Sequence, residues 1–237
     1  EKRIPTFIAL LTLLVSLYAT LLLIKSGVII VGKASPDLEP QNIEISNITD
    51  NSFTASFTTN EKTTGAVNVD IESNSKIVYD ERDASGSQKE YYSHYITVAG
   101  LAPNTNYEFS IVSNGKLILN NGSKFTVKTA DPISSSPPEQ KPIFGNVRLP
   151  NGDISDDILV RITEGKTQSI SSLVNSKGQF IIPANSIRGD TLDSYFEFSP
   201  DDILDIRILR QNLASQVRVS FSGAESIPIV ILPNSYD

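Results

Sequence analysis

The sequence predicts a mainly β protein in which one long N-terminal hydrophobic α-helix is followed by two β-sandwich domains in tandem. Two observations predict this class. The run from Ile4 to Ile24 has no charged residue, and as a helix rising about 1.5 Å per residue it spans roughly 30 Å, the thickness of the hydrocarbon core of a bilayer. After Lys33 the chain changes to short runs of alternating apolar and polar residues between turn residues, which indicates strands.

The predicted domains follow these changes of pattern. We expect a hydrophobic N-terminal helix, a connector, a first sandwich, a linker and a second sandwich, at 1–33, 34–40, 41–130, 131–142 and 143–237. The linker is rich in Pro and Ser, a composition that favours an extended spacer over a packed core.

The hydrophobic segment is apolar on all sides, so as a helix it requires burial on every side. Small residues form a stripe that lets another helix approach closely; the stripe comprises Ala9, Thr12, Ser16, Ala19 and Thr20. Lys25 interrupts the run, but apolar residues continue to Val31. The chain holds no Met and begins at Glu1. The run also exceeds the about 7–15 residues of a signal-peptide hydrophobic region. We therefore expect that residues before Glu1 have been removed, either by a protease or by trimming of the sequence, and that this segment is retained in the mature protein.

Composition excludes several functions. The net charge of −7 argues against nucleic acid, and the absence of Cys excludes disulfides and thiolate metal sites. No nucleophile elbow, phosphate loop or dinucleotide fingerprint is present, so we predict neither an enzyme nor a cofactor. His94, the single histidine, lies in an alternating run, and we predict it on the surface of a strand.

Two stretches of the first predicted sandwich resemble a known family. SNITDNSFTASFTTNEKTTG, residues 46–65, resembles the first strands of a fibronectin type III domain, with Phe57 where the family usually has Trp. LAPNTNYEFSIVS, residues 101–113, resembles the turn into the sixth strand of that family. The resemblance implies an immunoglobulin-like sandwich in which Tyr107 forms the tyrosine corner.

The second predicted sandwich has a looser resemblance over residues 143–183. A strand, a Pro-Asn-Gly turn, an LVRI strand and a Ser-rich strand ending in SKGQF follow one another there. This order is similar to that of the carboxypeptidase regulatory-like β-sandwiches of surface proteins.

The layout of the whole chain resembles that of the type IV pilins, in which a hydrophobic helix precedes a β head. The usual Phe at the mature start and Glu at the fifth position are absent, since Glu1 and Pro5 stand there. We expect charges near the helix ends to pair between adjacent copies in place of the fifth-position acid; these charges belong to Glu1, Lys2, Arg3 and Lys25.

Three functions follow from this reading. The first is the structural subunit of a bacterial pilus-like filament outside the cell, a homo-oligomer that resides in the cytoplasmic or inner membrane before assembly and displays its β domains. The alternative is a single-pass membrane protein presenting two sandwiches for adhesion to a host or neighbouring cell. A secreted adhesin or carbohydrate-binding module is the third, resting on Arg188-Gly189-Asp190 and on exposed tyrosines.

Two further patterns indicate sites. Asn47 and Asn121 begin glycosylation sequons, although Asn121-Gly122 is equally a turn. Two acidic clusters offer oxygen ligands of the type calcium requires, but their spacing favours solvated turns; they comprise Asp153, Asp156 and Asp157, and Asp201, Asp202 and Asp205.

Overall fold

The computed structural model describes residues 38–83 and 87–233. The predicted class, mainly β with one long N-terminal hydrophobic helix, is wrong for this part of the chain, which is all β. These residues form strands and short 3-10 turns and no α-helix, because their apolar residues alternate with period two rather than 3.6. Among them, no helix is long and apolar enough to cross a membrane.

The predicted helix 1–33 lies outside the described residues. The residues assigned to its packing and assembly all lie outside the described residues; they are Glu1, Lys2, Arg3, Ala9, Thr12, Ser16, Thr20 and Lys25. Both sandwiches lie in the second of the two units into which the chain divides, Ala34–Asp237.

The first sandwich has two antiparallel sheets. Its strands are Gln41–Ser46 (β1), Ser52–Thr63 (β2), Gly65–Ile71 (β3), Asn74–Tyr79 (β4), Tyr91–Ala99 (β5), Asn106–Ser113 (β6), Lys116–Ile118 (β7) and Phe125–Lys128 (β8). One sheet has the order β1-β2-β5, and the other has β4-β3-β6, with β7 and β8 both paired to β6. Alternate side chains of β2 enter the core, where Phe53 packs on Phe109 with ring centroids 5.0 Å apart.

The second sandwich also has two sheets. Its strands are Ile143–Arg148 (β9), Leu159–Thr163 (β10), Ile170–Leu173 (β11), Gln179–Ile182 (β12), Ile203–Arg210 (β13), Leu213–Ser220 (β14) and Ile227–Ile231 (β15). The sheet orders are β11-β10-β13-β14 and β12-β9-β15, with β15 parallel to β9. Val160, Ile206 and Phe180 are fully buried in its core.

The two sandwiches contact each other through sheet faces. The face of β1-β2-β5 that points away from its own core meets the corresponding face of β10 and β11, where Arg161 and Ser171 are opposite each other in register. Leu159 and Leu209 are buried on this same face, outside the core of the second sandwich. The described chain is therefore a stack of four sheets, and the contact at its middle positions the candidate site.

Candidate functional site: the interface between the two sandwiches

The first sandwich contributes a face of small hydroxyl side chains to this interface. Ser46, Thr54, Ser56, Thr58 and Ser93 each have at most 1% of their surface exposed. These residues alternate with core residues along their strands, so in an isolated domain they would face water. Because a buried polar group is costly unless it is hydrogen-bonded, the second sandwich must supply partners.

Arg161 is a buried cation among these partners. Its side chain is 4% exposed, and Nη1 lies 3.0 Å from Oε2 of Glu44. Nη2 donates to the carbonyl and hydroxyl oxygens of Ser56, at 3.2 and 3.1 Å, and to the carbonyl of Asn42. Burial lowers the pKa of Arg161, and the charge of Glu44 opposes this shift. One cation from β10 thus binds both β1 and β2 of the other sandwich.

A second contact joins the loop before β10 to strand β5. The Asp157 carboxylate accepts hydrogen bonds from the backbone N–H groups of Tyr92 and Ser93, at 2.9 and 2.8 Å. Arg82 lies 3.5 Å from the same carboxylate and donates to the carbonyl of Asp156 at 3.2 Å. The negative charge of Asp157 is therefore neutralised across the interface.

Asp80 connects this contact to the core of the first sandwich. Oδ1 accepts from Nε of Arg82 at 2.8 Å, and Oδ2 lies 3.5 Å from Nδ1 of His94. Burial acts to raise the pKa of Asp80, but the adjacent imidazole of His94, the guanidinium of Arg82 and the backbone N–H of Tyr95 hold it well below its usual range. Asp80 is consequently an anion although it is almost fully buried.

The prediction that His94 lies on a strand surface is wrong. His94 is fully buried, its ring stacks on Phe57 with centroids 4.5 Å apart, and Nε2 lies 2.9 Å from Oγ1 of Thr63. Gly65 provides the space, because a Cβ at that position would lie only 2.1 Å from Nδ1 of the imidazole. The register that pairs Phe57 with His94 explains why they share a face.

Two amide side chains, one from each sandwich, bind backbone groups of the opposite sandwich. Asn47 of the first sandwich donates to the carbonyl of Ser171 at 2.9 Å and accepts from its N–H at 3.1 Å. Gln168 of the second sandwich accepts from the N–H of Ile48 at 2.6 Å and donates to its carbonyl at 3.2 Å. Asn47 also donates to the hydroxyl of Tyr95 at 2.8 Å. The amide nitrogen of this sequon is therefore occupied by hydrogen bonds.

The Arg-Gly-Asp tripeptide contributes a further ion pair to the interface. Nη2 of Arg188 lies 2.8 Å from Oδ1 of Asp50, and Nη1 donates to the carbonyls of Asp131 and Leu192 at 2.7 and 2.9 Å. Arg188 is 4% exposed. Its guanidinium is thus not available to an adhesion receptor while the sandwiches are in contact.

The other sequence candidates lie apart from the interface. Asn121 is exposed in the turn after β7, where its φ is 51°. Asp205 binds Arg218 at 3.0 Å, and the carboxylate of Asp202 accepts from the N–H of Ser199 at 2.8 Å. Within residues 38–83 and 87–233, no group of three or more potential ligands is arranged to hold a metal ion.

Sequence reasoning missed Arg82, Arg161 and Arg188 as interface residues. A signal was present for Arg161, which occupies an alternate position in the otherwise apolar strand Leu159–Thr163. The Ser and Thr positions of β2 gave none, because small hydroxyl side chains are equally common on solvated faces.

Comparison with known proteins supports the first sandwich as a recognised domain. The family model of the fibronectin type III domain matches residues 38–126. No curated protein matches the chain. The predicted tyrosine corner is confirmed, since the hydroxyl of Tyr107 accepts a hydrogen bond from the N–H of Ala102 at 2.8 Å.

Solved structures show weaker similarities. The sensor domain of the anti-sigma factor RsgI4 in Pseudobacteroides cellulosolvens is 22% identical, over 42% of this chain and 99% of that chain, with a TM-score of 0.30. The chicken CNTN1 FN1–FN3 domains are 14% identical, over 85% and 70%, with a TM-score of 0.25. A two-domain fibronectin type III segment of chicken tenascin is 12% identical, over 76% and 98%, with a TM-score of 0.21. None of these similarities bears on activity. Residues 38–126, by the family match and the tyrosine corner, form a fibronectin type III domain.

Proposed function

We propose that the chain is a structural module of the cell surface, in which the fibronectin type III domain and the second sandwich act as one rigid unit. Fibronectin type III domains are typically extracellular or surface-displayed, and they indicate an adhesion or structural β-module protein. The observation that supports rigidity is the interface, where the buried charges of Arg161, Arg188 and Asp157 each have a partner on the other sandwich.

The chemistry of the interface favours a fixed orientation over a flexible tether. Directional hydrogen bonds to backbone groups, such as those of Asn47 and Gln168, hold only one register of the two sheets. Sliding the sheets by one residue would leave buried charges unpaired. Removing one partner of a buried ion pair typically costs about 3–5 kcal/mol of stability. We therefore expect the pair to transmit position and load as one body.

Pilus polymerisation through an N-terminal helix does not form part of this proposal, because it depended on a segment outside the described residues. Adhesion remains a second candidate. In that case a ligand on a host or neighbouring cell would bind the surfaces of the two sandwiches that their interface leaves exposed.

Hydrogen–deuterium exchange of the full chain tests the proposal. If the sandwiches form one cooperative unit, the slowest amides of β2 and of β13 exchange with the same opening free energy. A denaturant then lowers the opening free energies of the two strands in parallel. Two different free energies, with one sandwich opening alone at low denaturant, would contradict it. Arg161→Ala is the matched perturbation, which should separate the two values.

A further inference from the structure

The outermost faces of the four-sheet stack carry exposed apolar side chains. Most of the large hydrophobic side chains that are exposed in the described residues lie on these two sheets. On the face formed by β4, β3, β6 and β7, the first outer face, they are Ile77, Tyr79 and Leu117. On the face formed by β12, β9 and β15, the second outer face, they are Ile181, Ile229 and Ile231.

The apolar residues of the first outer face form a continuous row. Tyr79 is opposite Ala66, Ala66 is opposite Val112, and Val112 is opposite Leu117. A row that crosses four strands covers about 14 Å at the usual strand spacing of about 4.8 Å. Tyr79 and Leu117, at the two ends of the row, are 43% and 61% exposed, whereas Ala66 within the row is buried. Solvated faces of antiparallel sheets normally carry polar residues at these positions.

The second outer face offers a matching arrangement. Phe144 of β9 is opposite Ile181 of β12, and Arg148 of β9 is opposite Ile231 of β15. On the central strand of each face, a short series runs from an apolar residue to a charged residue four positions away. These residues are Val112 and Glu108 on β6, and Phe144 and Arg148 on β9, whereas Ser110 of β6 is buried.

The charged members of the two series have opposite sign. Glu108 forms no ion pair within residues 38–83 and 87–233, and in the same part of the chain the guanidinium of Arg148 donates only to the carbonyls of Val147 and Lys177. In both series the apolar and the charged residue are about 13 Å apart along the strand. The faces are therefore complementary in their apolar and charged positions.

We propose that the two outer faces bind each other between copies of this chain, so that β6 of one copy packs against β9 of the next. This inference builds on the proposed structural role and names its partner as a second copy. The contact repeats the sheet-on-sheet packing inside the chain and continues the stack. Because it joins two different surfaces it is heterologous, so it propagates into a linear assembly and does not close into a dimer.

Engineered cysteines give a direct test, because the chain has no cysteine of its own. The full-length double variant Val112→Cys/Phe144→Cys is oxidised and separated by size under denaturing, non-reducing conditions. The two positions within one copy are separated by three inter-sheet spacings, roughly 30 Å, far beyond the about 7 Å that a disulfide tolerates between Cα atoms. We expect a ladder of dimers, trimers and longer species that collapses on reduction.

The single variants and a displaced pair are the controls. Val112→Cys or Phe144→Cys alone should remain largely monomeric, and Ser136→Cys/Phe144→Cys, with one cysteine moved to the exposed linker, should give no ladder. Efficient dimers from either single variant would mean that a face binds its own copy, which overturns the proposal. A double variant that stays monomeric at high concentration overturns it as well.

A charge exchange tests the same contact without cysteine. Glu108→Arg and Arg148→Glu should each weaken concentration-dependent association at least tenfold in sedimentation, and the double exchange should restore it. No loss in the single variants, or no recovery in the double one, would contradict the pairing. The hydrogen–deuterium exchange test of rigidity between the sandwiches does not depend on Glu108 or Arg148. The proposed function can therefore be confirmed or contradicted separately from this inference.

Discussion

The two sheets of the fibronectin type III domain differ in what covers their outward faces, and the difference runs against their composition. The face of β1-β2-β5 carries Ser and Thr and is buried beneath the second sandwich. The face of β4-β3-β6-β7 carries Ile, Tyr and Leu and is exposed. Composition alone would assign water to the first and protein to the second.

The contrast shows that the two faces obtain stability in different ways. The covered face gains specificity from hydrogen bonds and ion pairs, which require partners in fixed positions. The bare face gains nothing until apolar area is removed from water, at about 25 cal/mol per Å². A polar face that separates from its partner regains hydrogen bonds to water. An exposed apolar face is instead stabilised by any contact that removes its area from water.

The strongest test of the covered face removes its central cation. Arg161→Ala removes the cation that pairs with Glu44 and donates to the Ser56 carbonyl, and loss of one member of a buried pair typically costs about 3–5 kcal/mol. We expect the free energy of unfolding to fall by that amount in chemical denaturation. Arg207→Ala is the control, because Arg207 is opposite Arg161 in register but exposed, and it should change the value by less than about 0.5 kcal/mol. Equal effects would show that Arg161 does not hold the interface.

A gentler change separates charge from shape at the second contact. Asp157→Asn keeps the size of the side chain but places an amide nitrogen where a carboxylate oxygen accepts from β5. We expect a loss of about 1–3 kcal/mol of unfolding free energy. Asp156→Asn tests the neighbouring residue, whose carbonyl and not its carboxylate takes part, and it should be close to neutral. An unchanged stability of Asp157→Asn would remove this contact from the interface.

The stability of the covered face should depend on acidity through Asp80. Its pKa in the folded state lies below the unfolded value of about 3.8, so the stabilisation is present above that pH and is lost as the pH falls below it. Unfolding free energies measured from about pH 6 to about pH 2 should decline more steeply for the wild type than for Asp80→Asn. Parallel curves would contradict the assignment.

The two sequons sharpen the comparison through their accessibility. Asn121 is exposed, whereas the amide nitrogen of Asn47 donates to Tyr95 and Ser171. Expressed in a glycosylating host, the folded protein should carry a glycan at Asn121 and none at Asn47, as read by peptide mass spectrometry. A glycan at Asn47 on protein whose sandwiches remain docked would contradict the hydrogen-bonded geometry.

The smallest effect is expected on the bare face. Leu117→Asn replaces a side chain that is 61% exposed, so the unfolding free energy should change by less than about 0.5 kcal/mol. Concentration-dependent association should nevertheless weaken, because an apolar contact between copies is lost. A large fall in stability would mean that Leu117 packs within its own domain.

The strand pattern and the domain family were accessible from the sequence. Phe53, Ala55 and Phe57 alternate as predicted and are buried, and the tyrosine corner follows from the motif around Tyr107. The burial of His94 could not be predicted from the sequence, because alternation alone does not tell which of two faces is the core. Its register opposite Phe57 decides that, and registers depend on pairing between distant strands.

The interface was harder to predict for a physical reason. A Ser or Thr on a strand has the same local preferences whether water or another domain covers it, and only the partner distinguishes the two. The sequence places Arg188 in an Arg-Gly-Asp recognition tripeptide. In the structure its guanidinium forms an ion pair with Asp50, a residue more than a hundred positions earlier. The information about that pairing lies in the tertiary structure and not in the tripeptide.

The paired amides of Asn47 and Gln168 have a consequence for how this chain tolerates change. Each binds the backbone N–H and carbonyl of a residue in the opposite segment, Ser171 or Ile48, and Asn47 adds one side-chain contact, at 3.4 Å to the Ser171 hydroxyl. Substitutions at the recognised positions therefore leave those hydrogen bonds in place. Insertion or deletion of one residue beside them moves the peptide groups out of reach. Over evolutionary time the lengths of these segments should be held more strictly than their residue identities.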